Sequence, residues 1–392
     1  MLFQVLDEKK ECYAIFCDGE LFKYPNSLEL THTWSHSAHA PLDDVEYASI
    51  WCAGKSLDEV CPEHLKNEWQ LIKAKLKAFS KAVQTSKINL SDVCFYDFVS
   101  KQFLIDYCAS KNKITEWVFA KYEKPKNYDL MESIVKFTTK IKNQHLNLDL
   151  KNLDFLDPEV RKTFNKIKYA NSNIIYNPWG TVTGRLSTKP DSFPILTLNR
   201  QLRSVIKPNN DLFVEFDYNA AEVRVLLALL GEDQPEGDLH DWIVKNIFDD
   251  KCPREKAKTR VFRWLYNPKA QNKRLSERFD REAIIDKHYK DGYVYTPFGR
   301  KIKAPEEKAL NYIIQSTTSD LFLTNMLKVD KMLSSRRSFI SFCVHDSFLI
   351  DFAKEDQPMI HDMIEAFSGT TFGDFKVNVS MGKSFGTMRK VQ

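Results

Sequence analysis

The stretch EFDYNAAEVRVLLALLG, residues 215–231, limits the possible folds of this chain more than any other. An apolar run, DLFVEF, leads to Asp217 and is typical of a buried strand, and the nearly apolar segment after it is typical of a buried helix. Glu222 and Arg224 are charged residues within that otherwise nearly apolar segment. A strand and a helix that meet in this way place carboxylates at the edge of a core, although capping the helix is the commoner role for an Asp such as Asp217 taken alone.

The composition is that of an ordinary globular protein. The chain has 392 residues, 43% of them hydrophobic and 12% aromatic, which is enough for two or three subdomains around a substantial core. The longest apolar run, VLLALL, is too short to span a bilayer, and the charged N-terminus is not a secretory signal. The eight cysteines form no C-x-x-C pair, which argues against a zinc site and favours reduced thiols in the cytoplasm.

The positive charge is distributed unevenly over a chain whose net charge is only +4. Residues 254–303 contain 15 Lys and Arg against 6 Asp and Glu, and a second lysine-rich stretch covers 62–90. Local basic surface on a nearly neutral protein is typical of polyanion binders. A solvated helix face explains either stretch equally well when it is taken alone.

The apolar pattern predicts a strand-rich start, a helical region and a mixed remainder. Short alternating segments predict strands over residues 1–55, with turns at 7–10 and at Asp18-Gly19. From about 61 to 150 the pattern is helical. One stripe recurs there at steps of three and four: Leu65, Trp69, Ile72, Leu76, Phe79 and Val83.

One predicted helix has a proline near each end. It begins near Pro253, and it ends at Asn267 because Pro268 disfavours helical geometry in the residue before it. Four residues recur along it at intervals of four and therefore share a face: Arg254, Lys258, Phe262 and Tyr266. Such a face can clamp a polyphosphate, although solvated charges and core packing are the commoner explanations of its members taken singly.

Two later segments add polar residues. A helix over about 309–330 carries Asn311, Gln315 and Asp320. The segment SFISFCVHDSFLIDFA predicts two strands joined by a tight turn at His345-Asp346, which alone is most often only a hairpin turn.

Asp217 and Asp346 are thus predicted at the ends of two different strands. Two such carboxylates side by side can hold two divalent ions about 3.5–4 Å apart. Magnesium suits the site, because it needs few carboxylates and completes its shell with phosphate and water. The residues therefore favour phosphoryl or nucleotidyl transfer.

A nuclease site is not expected. Asp18-Gly19-Glu20 has the spacing of a nuclease metal site, but it lies in a predicted hairpin turn and no Y-x-x-x-D follows it. The segments AGKS and MGKS lack the first glycine of a phosphate-binding loop, since Ser49 and Val377 stand in its place. We therefore predict neither a proofreading 3′-5′ exonuclease nor a P-loop.

Taken in order, these motifs resemble those of family A (DNA polymerase I-like) DNA polymerases, particularly compact phage-type members. DYNAAEVRVLLALLG resembles the first motif of that family, REKAKTRVFRWLY its R-x-x-x-K-x-x-x-F-x-x-x-Y fingers helix, and VHDSFLI its third motif. Further segments match in order between them: GTVTGRLS, RQLRSVIKP, GDLH, GYVYTPFGRKI and NYIIQSTTSD. The resemblance covers residues 171–387, whereas residues 1–150 are assigned by position.

The resemblance implies an α+β right-hand polymerase fold, with an antiparallel palm sheet, helical fingers and a helical thumb. We expect a small β-rich N-terminal segment at 1–60 and the thumb at 61–150. The palm would consist of 151–230 and 305–392, and abbreviated fingers would occupy 231–304.

The implied reaction is template-directed, primer-dependent DNA synthesis from dNTPs with release of pyrophosphate. Asp217 and Asp346 would bind two Mg²⁺ ions, assisted by the backbone of Tyr218. Lys258 would hold the triphosphate and could protonate the departing pyrophosphate.

The resemblance also implies the residues of the nucleotide pocket. Arg254 and His240 would contact the outer phosphates, and Phe262 would pack on the base and sugar. Tyr266 would shape the pocket of the nascent base pair. Glu222, hydrogen-bonded to Tyr266, would block a 2′-hydroxyl and so select deoxynucleotides.

The implied partners are primer-template DNA and dNTPs. Arg185, Asn311 and Gln315 would lie near the primer end of the duplex, and His345 near the primer terminus. Lysines of 62–90 would grip DNA phosphates. We expect a monomer that acts in the reducing cytoplasm, as a phage protein does in its host, without membrane association; the sequence identifies no processivity or replisome partner.

Two rival functions remain. A single-subunit RNA polymerase often has His-Asp-Ser-Phe at its third motif, as this chain does, but Glu222 and Phe262 are of the DNA-polymerase type. A catalytically silent DNA-binding relative of the polymerases is the other, and the presence of Asp217, Asp346 and Lys258 argues against it.

Three departures from the family pattern stand out. Ser347 replaces the Glu of the third motif. Asn267, followed by Pro268, replaces the glycine usual after the fingers tyrosine. Only 25 residues separate Tyr266 from Gly292, so we expect short fingers.

Overall fold

The computed structural model describes residues 1–6, 14–22, 29–38, 44–88, 94–151, 158–168, 172–267 and 269–391. Pro268 and the predicted turn at 7–10 lie outside them. The chain forms two compact units, Met1–Thr139 and Lys140–Gln392. The domain limits predicted from the sequence stay predictions.

The first unit begins with strands, where the alternating pattern predicts them. Three antiparallel strands form one sheet: Phe3–Val5, Ile15–Cys17 and Glu20–Phe22. His32–Thr33 and Glu46–Tyr47 form a parallel pair. The helices that begin in this unit are Ala48–Trp51, Leu57–Val60, Glu63–Thr85, Lys101–Lys121 and Tyr128–Lys142, with a 3₁₀ turn at Phe95–Phe98.

The helix Glu63–Thr85 carries the predicted apolar stripe. Trp69, Ile72 and Val83 of this helix are buried, and the other three members of the stripe pack at lower burial against the core that contains Trp69 and Ile72. Two of its lysines form ion pairs, Lys66 with Glu63 and Lys73 with Asp58. The helix is therefore amphipathic, with lysines on the solvent side.

The second unit is built on a five-stranded antiparallel sheet. Its strands lie in the order Phe339–Val344, Ser347–Phe352, Leu212–Tyr218, Val377–Gly382 and Arg389–Lys390. Leu212–Tyr218 is called the central strand below. Phe216 and Tyr218 of this strand stack on Phe367 of the helix Ile360–Ser368. Because side chains alternate across a strand, Glu215 and Asp217 leave the opposite face.

A two-residue turn joins the first two strands of the sheet, as the sequence predicts. Val344 pairs with Ser347, and His345 and Asp346 form the turn between them. His345 has a φ of 55°, the left-handed conformation that tight hairpins require. The turn places Asp346 at the end of the sheet where the central strand reaches Asp217.

The second unit contains eight further helices within its described residues. Their bounds are Pro158–Lys168, Ala221–Leu229, Leu239–Phe248, Arg254–Tyr266, Lys273–Arg278, Arg281–His288, Ala309–Met332 and Ile360–Ser368. The 3₁₀ turns of this unit are Ile195–Thr197, Arg200–Val205, Glu306–Lys308, Lys354–Met359 and Phe385–Thr387. Arg254–Tyr266 is called the Arg254 helix and Ala309–Met332 the long helix. The Arg254 helix ends at Tyr266, one residue before the predicted end at Asn267, whose backbone is extended.

Short strands complete the second unit. Tyr289–Lys290, Tyr293–Tyr295 and Lys301–Lys303 form a small antiparallel sheet. Three two-stranded pairs join Asn147–Leu148 to Ile206–Lys207, Tyr176–Asn177 to Ser187–Thr188 and Gly369–Thr370 to Gly373–Asp374.

Across the described ranges, no helix has the length and apolar character to span a membrane. Cysteines at six positions are free and buried: Cys17, Cys52, Cys61, Cys108, Cys252 and Cys343. Cys94, in contrast, carries a disulfide bond. The reducing, cytoplasmic location predicted from the cysteine pattern stays a prediction.

Candidate active site

The strand register brings two predicted site carboxylates to one end of the sheet. Asp217 pairs across the central strand with Ser347 on one side and with Asn378 on the other. Asp346 directly precedes Ser347, and adjacent strands lie about 4.8 Å apart, so the two aspartates are neighbours. Asn378 Nδ2 donates a hydrogen bond of 3.1 Å to Asp217 Oδ2.

Burial raises the pKa of Asp217 to about 6, because desolvation disfavours its charged form. The hydrogen bond from Asn378 opposes this shift, while the negative charges of Glu215 and Asp346 add to it. Without a cation the site therefore holds more negative charge than it can easily accommodate.

Arg185 lies between two of the predicted site residues. Its Nη2 atom is 2.6 Å from Glu222 Oε1 and 3.3 Å from Asp346 Oδ2. The guanidinium thus reaches from the proposed sugar gate to a proposed metal ligand. The sequence predicts a role for Arg185 at the primer end, and it does not predict this bridge.

Gly184 fixes the backbone before Arg185. Its φ is +77°, and a Cβ atom there would lie 2.5 Å from Arg300 Cζ. Arg300 Nε donates in turn to both carboxylate oxygens of the fully buried Asp320, at 2.9 and 2.7 Å. Only a glycine allows the loop to approach this buried ion pair so closely.

Glu222 is 7% exposed and lies in the first turn of the helix Ala221–Leu229. Burial raises the pKa of Glu222 above its ordinary value. The neighbouring Tyr266 hydroxyl and Arg185 offset only part of this rise. The charge of Glu222 in turn adds to the effect of burial in raising the pKa of Tyr266. The Tyr266 hydroxyl lies beside Glu222 and Gln315, but no described residue completes a well-formed hydrogen bond to it.

The four predicted residues of the Arg254 helix share one face. The rings of Phe262 and Tyr266 stack, with centroids 6.0 Å apart and planes 16° apart. His240 approaches the same face, its ring 6.3 Å from that of Phe262. Lys258 is exposed and has no hydrogen-bond or ion-pair partner within the described ranges.

His240 is buried, and one of its ring nitrogens, Nδ1, lacks a hydrogen-bond partner among the described residues. Burial lowers the pKa of His240, and the positive charges of Arg254 and Lys258 lower it further. The imidazole is therefore neutral at physiological pH.

Three carboxylates surround Arg254. Its guanidinium lies 2.9 Å from Asp238, 3.3 Å from Asp241 and 2.9 Å from Glu255. Burial would raise the pKa of Asp238, but hydrogen bonds from Arg254 and Asn219 lower it overall. Arg254 is thus held by acidic groups at the start of its helix, where the sequence predicts that it contacts phosphate.

Arg224 is a residue whose role the sequence does not predict. It is fully buried and donates to the backbone oxygens of Asn219 at 2.9 Å, Pro235 at 3.1 Å and Gly237 at 2.9 Å. Asn219 also accepts from the backbone N–H of Leu239 at 2.8 Å. These bonds tie the segment 235–239, which carries Asp238, to the end of the central strand. A charged residue inside an apolar helix was the signal for it.

The residues predicted to lie near the primer come from a loop, a helix and a hairpin turn, which carry Arg185, Asn311 with Gln315, and His345 respectively. Asn311 and Gln315 lie one turn apart on the long helix, and the Oδ1 atom of Asn311 is buried with no partner in the described part of the chain. Asn311 and Tyr266 line the same cavity of about 770 Å³. His345 is exposed at the hairpin turn.

Within the residues described, no cluster of three or more His, Cys, Asp and Glu side chains is arranged to hold a metal ion. A cation at this end of the sheet would therefore have two aspartates as its side-chain carboxylate ligands.

Known proteins resemble this chain in sequence and in structure, although no family model matches it. DNA polymerase I, thermostable, of Thermus aquaticus is 27% identical over 233 residues, 46% of this chain and 28% of that protein. DNA polymerase I of Mycobacterium leprae is 26% identical over 271 residues, 54% of this chain and 30% of that protein. The chain thus spans less than a third of the length of these relatives.

A solved structure matches most of the fold. It is the POL domain of Pol1 from M. smegmatis in complex with DNA primer-template and dNTP, at a TM-score of 0.62 and 15% identity. The match covers 91% of this chain and 86% of that one. The predicted resemblance to family A DNA polymerases is thereby confirmed, as is the predicted α+β polymerase fold.

Proposed function

We propose that this relative of the family A DNA polymerases catalyses template-directed, primer-dependent DNA synthesis from dNTPs and releases pyrophosphate. The observation that carries the proposal is the strand register that sets Asp217 beside Asp346 at the open end of the sheet. The similar POL domain is described with primer-template and dNTP, which supports the same partners here.

The donor groups at this end of the sheet suit two Mg²⁺ ions. Asp217 and Asp346 offer carboxylate oxygens, and Tyr218 offers its backbone carbonyl. The Oδ1 atom of Asn378 is buried beside Asp217 with no partner in the described ranges. When bound, the ions would activate the attacking oxygen of the primer and stabilise the leaving oxygen.

The Arg254 helix would receive the triphosphate. Lys258, exposed and unpaired within the described residues, is available to neutralise it and to donate a proton to the departing pyrophosphate. Arg254 would exchange its carboxylate partners for phosphate. His240, held neutral, would donate a hydrogen bond to a phosphate oxygen, and Phe262 would pack on the base and sugar.

Glu222 and Tyr266 would form the sugar gate. Glu222 is nearly buried and anchored by Arg185 at 2.6 Å, so its carboxylate has little room to move away from a 2′-hydroxyl. A ribonucleotide would therefore be rejected both by contact and by the cost of desolvating its extra hydroxyl.

Arg185, Asn311, Gln315 and His345 would contact the primer and template, and the lysines of 62–90 would contact DNA phosphates as part of a thumb. We also propose that the chain acts as a monomer. Its cytoplasmic location stays a prediction.

Primer extension tests the proposal. A labelled primer on a defined template is incubated with Mg²⁺ and either dNTPs or ribonucleotides. We expect extension with dNTPs, and a loss of about a thousandfold or more in Asp217→Ala and Asp346→Ala. Glu365→Gln, an exposed acidic position elsewhere in the same unit, is the matched control and should retain wild-type activity. Extension that survives in Asp217→Ala would overturn the assignment, and a strong preference for ribonucleotides would indicate an RNA polymerase.

A further inference from the structure

Glu215 has no part in the mechanism proposed above, although it lies close to the aspartates that would bind metal. It stands two residues before Asp217 in the central strand, so both side chains leave the same face of the sheet. The other residues of this strand are Leu, Val, Phe and Tyr. A half-buried carboxylate in such a strand carries a cost of desolvation that a partner must offset.

Ser347 is that partner. Its hydroxyl lies 3.0 Å from Glu215 Oε1 and 3.1 Å from the backbone oxygen of Val344, and it donates one proton to either of them. Ser347 is also the register partner of Asp217 and follows Asp346 directly. The hydrogen bond therefore holds Glu215 between the two strands that carry the aspartates.

No cation of the described part of the chain forms an ion pair with Glu215. Arg203 acts on it electrostatically, but its guanidinium stacks on the ring of Phe385, 4.6 Å from the ring centroid. Among the described residues, Glu215 therefore has no directly paired cation, and it lies on the same face of the sheet as Asp217.

We propose that Glu215 is a third acidic group of the cation site, which Ser347 holds in place. It is a positioning residue: it does not ligate an ion directly, since the described residues offer no group of three metal-binding side chains. Its charge beside Asp217 would raise the affinity of the site for divalent ions. This inference rests on the proposed function, because it takes Asp217 and Asp346 as the ligands.

The departure of the third motif from the family pattern fits this arrangement. Ser347 stands where the family has a Glu, and Glu215 reaches the hydroxyl of Ser347 from the neighbouring strand. The strand that begins at Ser347 thus lacks the acidic side chain of the family, and the central strand supplies one, Glu215, within hydrogen-bonding distance of Ser347.

The test is the binding of Mn²⁺ to the full chain without DNA or nucleotide, followed through the electron paramagnetic resonance of the free ion. Mn²⁺ prefers the same oxygen ligands as Mg²⁺. Glu215→Gln retains the size of the side chain and an acceptor for Ser347 but removes the charge, and it should weaken binding by about fivefold. The matched control, Glu365→Gln, should leave binding unchanged. Equal affinities of Glu215→Gln and the wild type would overturn the proposal.

A swap separates charge from packing. Glu215→Ser should weaken Mn²⁺ binding at least as much as Glu215→Gln does. Adding Ser347→Glu to it returns a carboxylate from the other strand and should restore affinity to within about twofold of the wild type. A double variant that binds no better than Glu215→Ser would contradict the proposal, because the loss would then come from altered packing.

The cation measurement and primer extension fail independently. Cation affinity that depends on Glu215 in a chain that extends no primer would refute the proposed DNA synthesis but not the cation site at Asp217 and Asp346, on which this inference depends. A chain that extends a primer but whose Mn²⁺ affinity does not depend on Glu215 would support the proposed function and refute this inference. Wild-type Mn²⁺ binding no tighter than that of Asp217→Asn would overturn the placement of the cation site and this inference with it.

Discussion

The guanidinium of Arg185 donates a hydrogen bond of 2.6 Å to the carboxylate of Glu222. The same Nη2 atom lies 3.3 Å from Asp346. The proposed sugar gate and a proposed metal ligand therefore share one cation, so a divalent ion that binds Asp346 competes with Arg185 for its charge.

Arg185→Gln should strengthen cation binding and weaken DNA synthesis. Removing the positive charge next to Asp346 should raise the affinity for Mn²⁺, measured without DNA, by about threefold. Primer extension should fall at the same time, because the contact proposed at the primer end is lost. Arg337→Gln, at an exposed position, is the control for a change of net charge. Parallel losses in both measurements would contradict competition between Arg185 and the ion.

Glu222→Ala should relax the choice of sugar. Removing the nearly buried carboxylate opens space for a 2′-hydroxyl, so ribonucleotide incorporation relative to dNTPs should rise by about tenfold or more. The ratio of kcat/KM for a matched pair of nucleotides on one primed template measures this. Glu365→Ala serves as the control, and an unchanged ratio in Glu222→Ala would refute the gate.

Local signals made part of this structure predictable from the sequence. The end of the Arg254 helix follows from Pro268, and the hairpin turn follows from a break between two apolar runs. The place of Asp217 follows from an apolar strand that meets a helix. Each of these signals lies within a few residues of the feature that it predicts.

Contacts between distant parts of the chain were not predictable in this way. Arg185 lies 161 positions from Asp346, and Ser347 lies 132 positions from Glu215. Strand register decides that Ser347 meets Glu215, and a sequence pattern gives the face of a strand but not its partner. Arg185 lies in a loop, which no periodicity places beside the hairpin turn that carries Asp346. Arg224 was conspicuous as a charge in an apolar helix, but its carbonyl partners lie in irregular backbone that no periodicity describes.

Asp217→Asn should stabilise the cation-free protein at neutral pH. In the folded state the pKa of Asp217 is about 6, above its ordinary value, so the folded chain binds more protons between those two values than the unfolded chain does. The stability that this gives is complete below the ordinary pKa and is lost as the pH rises through 6. Urea midpoints measured with EDTA from pH 5 to about pH 8 should fall more steeply for the wild type than for Asp217→Asn.

The control for that experiment is Glu365→Gln, which should follow the wild-type curve. Adding Mg²⁺ at neutral pH should raise the midpoint of the wild type more than that of Asp217→Asn, because only the wild type retains the full ligand set. Parallel curves for wild type and Asp217→Asn would show that burial does not penalise this carboxylate.

Gly184→Ala should destabilise the second unit through a steric clash. The new Cβ atom would lie 2.5 Å from Arg300 Cζ, next to the buried pair of Arg300 with Asp320, and φ is positive. We expect a loss of about 2–3 kcal/mol in the free energy of unfolding. Gly231→Ala is the matched control, since φ is +74° there and nothing lies within 4 Å of the new atom. It should cost about 1 kcal/mol, from backbone strain alone. Equal losses would show that the approach to Arg300 is not tight.

Arg224→Met should lower the free energy of unfolding, although the helix around Arg224 is apolar and would accommodate a methionine. It would leave the backbone oxygens of Asn219, Pro235 and Gly237 without their donor, and buried unpaired carbonyls cost about 1–3 kcal/mol each. Because these oxygens hold the segment that carries Asp238 and leads into His240, the KM for dNTP should rise as well. Arg224→Lys offers one ammonium in place of a planar fork and should recover only part of the stability. Urea unfolding and steady-state primer extension measure the two effects, and a destabilised variant with an unchanged KM would separate Arg224 from the nucleotide site.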